Sequence, residues 1–314
     1  MNTGLSREAL EFGREVSRAL EAAGGDQLVV DVEFGADRRD GRIVTVLGEL
    51  GAWELDARGD ADELEAAAAL SRAAGFWALP YPVAERLAKP ADGGADGLLV
   101  VDPLRPAAAI ADLPDLTWVA VGLDGTRSTA VPKRSEESVR ATAFVADLDL
   151  TPLDGDGSGE AALAITLSSW TLLGMLDRVL ALTRAHVSAR HQFGRPLSAL
   201  QGVQFQLTDA EVERSGVEML AKYALWSIET QRPEALDDAL ALRLAAVEAA
   251  DLVFRVGHQL HGAGGFCDET TVSWVSRYSL PLRRLPLGAA ATRAALTRRL
   301  GRAGLTGLYT GADA

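Results

Sequence analysis

Arg190-His191-Gln192-Phe193-Gly194-Arg195-Pro196-Leu197, continued by Leu200-Gln201 and Gln204-Phe205, interrupts a long run of helical periodicity. Before it, Leu163, Leu167, Trp170, Leu173, Leu176 and Leu180 step by three and four along one helix face. The spacing predicts that this helix leaves its course at Gly194, with Arg190 presenting a cationic fork beside polar Gln192 and aromatic Phe193. A planar guanidinium beside open backbone donors suits an anionic diphosphate. A second segment, His258-Gln259-Leu260-His261-Gly262-Ala263-Gly264-Gly265-Phe266, ends a later helix on a glycine cluster, where backbone can approach a ligand closely. Either segment alone is equally well read as ordinary helix-end chemistry, Arg190 capping its own carbonyls and the glycines turning the chain. Together they point to one binding surface.

Outward from this stretch the chain stays helical. Val217, Leu220, Ala224 and Ile228 mark a second helix, and Leu236, Leu240, Leu244, Val247, Ala250 and Phe254 a third after the break at Pro233. A fourth begins near Gly288 and passes Ala291, Ala294 and Ala295 to Leu300. Such helices with short connections make an antiparallel bundle. The first, third and fourth are expected to bury apolar faces against a different protein.

Upstream, Leu153-Asp154-Gly155-Asp156-Gly157-Ser158-Gly159 is the clearest linker. Leu98–Val101, Thr117–Val121, Ser128–Val131 and Thr142–Val145 are short β-prone runs, read as a small antiparallel sheet or barrel. Further back, Ser6 caps a helix to about Ala23, and a second runs from about Asp60 to Ala74, stopping at Gly75. Leu28–Val32 and Ile43–Leu47 read as β-rich, and Pro80-Tyr81-Pro82 forces a turn before a short helix. The expected fold class is α+β, mainly α: a reduced N-terminal helical domain (1–96), a small β-domain (97–153) and a C-terminal antiparallel four-helix bundle (160–314).

The 314 residues carry a net charge of −13, which argues against a nucleic-acid partner and fits a cytoplasmic protein. The N-terminus lacks a signal-peptide pattern, and no apolar run is expected to reach the roughly 18 residues of a membrane span. The single cysteine, Cys267, excludes an internal disulfide and is read as a small buried hydrophobe. His186, His191, His258 and His261 lack carboxylates at metal spacing, so no metal is expected. Nucleotide-loop, zinc-protease and serine-elbow motifs are absent. Arg277, Arg283, Arg284, Arg293, Arg298, Arg299 and Arg302 lie in a stretch without acids; they read as pairing with the acidic N-terminal half, or as facing a partner or phosphates.

From about Leu163 to Leu300 the chain resembles the helical domain of acyl-CoA dehydrogenases. Those enzymes carry R-x-x-F-G-x-x-L, a glutamine shortly after it, and a later Q-x-x-G-G-x-G-[FY]; here these read Arg190 to Leu197, Gln201, and Gln259 to Phe266. The N-terminal half matches only in outline, its Pro80-Tyr81-Pro82 being similar to a family loop. The resemblance implies that these turns reach across a subunit interface to the diphosphate and adenosine part of a neighbour's FAD. Residue by residue it points to Arg190, Gln192, Phe193, Gln201, Gln259, Gly262 and Ala263, the last standing where the family has a glycine.

The pattern fails at the chemistry. The family removes an α-proton of an acyl-CoA with a glutamate in a Y-E-G-T turn; here the turn reads Leu285-Pro286-Leu287-Gly288-Ala289, with Leu287 in that region and no carboxylate. Relatives that carry the base on the first bundle helix would have it at Ala164, and Glu160 is the nearest rescue candidate. A general base must reach the proton it takes. The stretch comparable to the family's flavin-ring segment, Val101 to Ala107, has no serine or threonine. The resemblance is therefore to the shortened, degenerate subunit of actinobacterial steroid acyl-CoA dehydrogenases. It implies an α2β2 heterotetramer with a homologous catalytic subunit, FAD shared at the interface, and a bulky acyl-CoA desaturated by the partner's glutamate. A self-sufficient enzyme with a relocated base and a purely structural or regulatory subunit remain as alternatives.

Overall fold

The computed structural model describes residues 4–90, 92–133 and 144–304. Its amino-terminal third holds α1 (Arg7–Ala22), α2 (Gln27–Glu33), α3 (Arg42–Glu49), α4 (Ala61–Phe76) and α5 (Val83–Leu87). Ser6 Oγ accepts from Ala9 N at 3.2 Å and caps α1, and Asp60 caps α4 through Glu63 N at 2.9 Å. The two stretches read as β-rich are α2 and α3. Their buried residues, Leu28, Val29 and Val32, then Ile43 and Leu47, recur at helical spacing and not in alternation. Strand propensity depends on a partner surface, and here these faces pack into a helical core.

The middle third is a five-stranded open sheet: β1 (Gly97–Val100), β2 (Ala107–Ala108), β3 (Trp118–Val121), β4 (Arg127–Pro132) and β5 (Ala146–Leu153), in the order β1-β3-β4-β5-β2. The sheet is mixed, not antiparallel as expected, because β1 pairs parallel with β3. The expected run Thr142–Val145 lies partly outside the described residues, and the strand begins at Ala146.

The last third contains α6 (Ser158–Ala189), α7 (Gln201–Glu229), α8 (Ala235–His261), α9 (Thr271–Arg284) and α10 (Ala289–Ala303). The short α9 was not foreseen in the sequence. A two-strand hairpin, β6 (His191–Gln192) with β7 (Arg195–Pro196), joins α6 to α7. Helix α6 is the axis of the molecule, packed by α4 on one side and by α7 and α8 on others. An 18-residue window of it is apolar enough to cross a membrane, contrary to expectation, but 78% of that window is buried in the protein's own core.

Helix α4 does not stop at Gly75 but continues to Phe76, and Gly75 serves a different purpose. A Cβ there would lie 1.8 Å from Thr171 O, and one on Gly174 would lie 1.9 Å from Arg72 O. The helices α4 and α6 thus touch backbone to backbone. Beside this crossing, Arg72 bonds Asp177 at 2.7 Å and Glu218 at 3.3 Å, while Arg214 reaches Glu218 at 2.6 Å. Burial pushes the Glu218 carboxyl up, but Arg72, Arg214 and Lys222 outweigh it and hold it down at about 2.

Two surface expectations need correction. Four of the seven C-terminal arginines pair within the bundle and its flank, not with the N-terminal half: Arg277 with Asp268, Arg283 with Asp251, Arg293 with Glu248 and Arg299 with Asp237. Among the described residues of the bundle helices, the exposed large apolar side chains lie on the second, α7, with Phe205 59%, Val212 62% and Met219 56% exposed. Helices α6 and α8 spend their apolar faces inside the chain.

Candidate functional site

The helix α6 ends at Ala189, earlier than the expected departure at Gly194. Arg190 is extended, its N–H donating to His186 O and its carbonyl accepting from Leu197 N, both at 2.8 Å. The tip of the hairpin is Phe193-Gly194, with φ of 51° and 77°. Two successive left-handed residues make the tight turn that matches strand twist. Glycine takes this conformation freely; a phenylalanine there costs about 1–3 kcal/mol, and Phe193 is 91% exposed. A strained aromatic is thus held out into solvent.

Gln201 opens α7, and Gln259 sits in the last turn of α8. The His186 ring stacks on His261 with centroids 4.3 Å apart, which pins the C-terminal end of α6 to that of α8. Since the hairpin connects α6 directly to the start of α7, Arg190, Gln192, Phe193, Gln201, Gln259, Gly262 and Ala263 gather at one end of the bundle, all exposed. Among the described residues, no side-chain hydrogen bond or ion pair engages Arg190, Gln192, Gln201 or Gln259. Arg190 thus caps α6 through its backbone N–H alone, and its guanidinium takes no part in the cap. Gly262, with φ 63°, ends α8, and a Cβ on it would meet nothing within 4 Å. Cys267 is exposed, not buried as expected, with Sγ near Ala263 O. Burial, with His186 and His258 nearby, pushes the His261 imidazole down to about 4, so it is neutral at physiological pH.

A second feature lies further back along α6. The Pro80–Pro82 turn, α5, the ends of β1 and β2, the first half of α6 and the turn after α9 enclose a cavity of about 100 Å³. Ala164 is on its wall, with Leu285 and Pro286 of the turn after α9; Leu287, the other place where the resemblance seeks a base, follows them in that turn but is not in the lining, and all four are apolar. Glu160 lies outside this lining, in an ion pair with Arg127 at 3.0 Å.

Two buried arginines hold the surrounding loops. Arg39 donates to the carbonyls of Pro80 at 2.7 Å and Ala109 at 2.9 Å, and to that of Ala111, with Phe144 beneath its guanidinium at 4.2 Å. Arg243 donates to the carbonyls of Leu282 at 3.1 Å, Leu285, and Leu287 at 2.8 Å, fastening the turn after α9. Burial lowers both to about 10, so both stay charged at neutral pH, neutralised by carbonyl dipoles. Glu85 is the one carboxyl on the cavity wall among the described residues, and burial pushes it up. Arg39, Arg243 and Glu85 were missed in the sequence, because isolated residues far apart carry no local pattern.

Residues 166–295 match the acyl-CoA dehydrogenase C-terminal domain. A segment covering 45% of this chain is 30% identical over 146 residues to acyl-CoA dehydrogenase FadE28 of Mycobacterium tuberculosis, covering 42% of that protein. The matches to the first curated relatives span 31–43% of their length. The fold is similar to that of a chain in the ChsE4–ChsE5 complex of Mycobacterium tuberculosis, with TM-score 0.79 and 16% identity, covering 97% of this chain and 100% of that one. It is also similar to the Tcur3481–Tcur3483 steroid ACAD G363A variant, with TM-score 0.77 and 19% identity over 95% of this chain and 99% of the other. Residues 166–295 thus match the C-terminal domain of acyl-CoA dehydrogenases, and the chain as a whole shares the fold of these solved structures.

Proposed function

We propose that this chain is the non-catalytic subunit of a cytoplasmic, FAD-dependent acyl-CoA dehydrogenase of α2β2 form. A homologous partner supplies the glutamate and the bed for the flavin ring, and the substrate is a bulky, steroid-derived acyl-CoA. The observation that carries this reading is the cavity of about 100 Å³, far below the roughly 300–1,000 Å³ of small-molecule pockets. Neither a flavin ring nor an acyl chain fits there, and Arg39 and Arg243 fasten the loops that would have to part.

The other end of the bundle does fit part of the cofactor. Among the described residues, the Arg190 guanidinium and the Gln201 and Gln259 amides make no hydrogen bond, and a Cβ on Gly262 would meet nothing within 4 Å. This donor set suits a diphosphate whose ring lies elsewhere. Phe205, Val212 and Met219, spaced by seven on α7, form an apolar stripe beginning one turn from Gln201. Such a stripe calls for a protein neighbour, and the ChsE4–ChsE5 structure is a complex of two named chains. The steroid-derived substrate is suggested by the other structural neighbour, a steroid ACAD. Held there by Arg190, Gln201 and Gln259, FAD would supply a hydride acceptor for the substrate's β-hydrogen. This chain's residues hold the diphosphate and cover the interface; the α-proton goes to the partner.

A second reading has one observation in its favour. Glu85 is a carboxyl raised by burial on the cavity wall, the kind of group a relocated base would be. Expression of the chain alone and together with a homologous full-length acyl-CoA dehydrogenase subunit separates the two. The pair is expected to co-purify with flavin and turn over, and the chain alone to show no turnover with FAD and an artificial acceptor. Activity of the chain alone, abolished by Glu85→Gln, sinks the proposal.

A further inference from the structure

Four aromatic rings tie together the segments that carry Arg190 and Gln259. His186, in the last turn of α6, stacks on His261, the last residue of α8, with centroids 4.3 Å apart and 23° between the planes. His258, one turn earlier on α8, stacks on Phe266 at 4.3 Å and 12°. Its Nε2 lies 2.9 Å from Ser276 Oγ, which links this second stack to α9. Gly265 sits against both histidines: a Cβ there would lie 3.1 Å from His261 Cβ and 3.2 Å from His258 Nδ1. The turn Gly262–Phe266 is thus folded back onto the end of α8, although Phe266 itself is 69% exposed.

His261 contributes its face and not its nitrogens. Its Nε2 is buried with no hydrogen-bond partner among the described residues. Burial lowers both His258 and His261, the latter to about 4, so neutral rings make these contacts. Stacked neutral rings attract through their faces and hold a defined separation.

The chain carries that separation outward. Arg190 follows His186 by one helical turn, and its N–H donates to His186 O at 2.8 Å. Gln259 precedes His261 by two residues, and Gly262 follows it directly. Any slip between the two imidazoles changes the spacing of Arg190 from Gln259 and Gly262. We propose that the two stacks form a clasp that sets this spacing, with His186 and His261 as positioning residues of the anion grip. That the anion is the diphosphate of FAD rests on the proposed function; the clasp itself does not.

The test compares variants that keep the ring with variants that remove it. His261→Phe and His186→Phe retain a neutral face, whereas His261→Ala and His186→Ala lose it. In the full chain, amide exchange is followed at Arg190 and Leu197, whose N–H groups bond His186 O and Arg190 O. Each alanine variant is expected to speed exchange there by about 2- to 12-fold, the worth of one ring pair, and each phenylalanine variant to match wild type. In the complex, FAD release is expected to rank the variants in the same order. Unchanged exchange in the alanine variants overturns the clasp. So does exchange that rises equally over the whole molecule, since that marks a purely structural role. FAD release as fast in His261→Phe as in His261→Ala, with hairpin exchange at the wild-type rate, makes His261 a direct ligand and also overturns it. Faster hairpin exchange in the alanine variants, with FAD unaffected both there and in Arg190→Ala, sinks the flavin reading and leaves the clasp standing.

Discussion

The two ends of helix α6 use arginine in opposite ways. Toward its start, Arg39 and Arg243 are buried and give their donors to backbone carbonyls of the chain itself. Toward its end, Arg190 is exposed and its side chain bonds nothing among the described residues. A buried guanidinium left unbonded would be costly, so the first pair must be satisfied internally and therefore stabilises the fold. An exposed guanidinium carries no such obligation and stays available to a ligand. The same residue type thus closes one region and leaves the other open.

The contrast is broken most forcefully at Arg243. Arg243→Ala leaves three carbonyls without their donor, each costing about 1–3 kcal/mol if unsatisfied, and the loss is expected at about 3–5 kcal/mol in urea unfolding. A variant that unfolds at the wild-type midpoint would mean that the turn after α9 stands without its clamp.

Arg190→Ala should show the reverse profile. Its unfolding midpoint is expected to stay within about 0.5 kcal/mol of wild type, while FAD affinity of the complex falls by roughly 10- to 150-fold, as for loss of a charge-assisted bond. Arg190→Lys recovers part of this, since one ammonium cannot replace a bidentate fork. Gln259→Ala weakens FAD in the same direction but less. Flavin release, followed by the recovery of its fluorescence, is the measurement. Unchanged affinity in Arg190→Ala would leave the open end without its assigned ligand.

Between the two ends, Glu218 tests the joint of α4, α6 and α7. Its depressed value means that its stabilisation is present above the ordinary carboxylate range and lost as pH falls toward about 2. Glu218→Gln is expected to cost about 1 kcal/mol at pH 7, after allowance for solvent screening, and nothing near pH 2. An equal cost at both pH values would identify a packing effect.

The smallest effect is expected at Glu85. Burial raises this carboxyl, so the protonated form is favoured by folding, and its contribution is present at low pH and lost as pH rises through the folded value. Glu85→Gln should therefore unfold at a higher temperature than wild type at pH 8 and match it at pH 4. A lower melting temperature at pH 8 would show the ionised group to be a useful partner of Arg39.

Much of the bundle was legible because its signals are local. Three- and four-residue spacing of leucines along α6, the break at Pro233 and the cap at Gly288 each act within a few turns. The candidate residues at the bundle's end were picked out by equally local signals, Arg190, Gln201, Gln259 and Gly262 lying in two short segments at helix ends. The short α9 was missed because its apolar positions are few and Pro281 lies inside it. Leu28–Val32 and Ile43–Leu47 misled because strand preference depends on a partner strand, and in the fold these residues meet helices.

By itself, then, the amino-acid order determined the long helices, the linker before α6, the polar segments at the helix ends and the missing carboxylates, all of which act over short distances or are matters of composition. Only the tertiary structure decided that Arg39 meets Pro80, Ala109 and Ala111, that Arg243 meets the turn after α9, and that α7 is left with an uncovered stripe. Those outcomes join residues 39 to 111 and 243 to 287. No local propensity encodes such pairings; they follow from which backbone carbonyls the packed core leaves without donors, and which faces it has no further chain to cover.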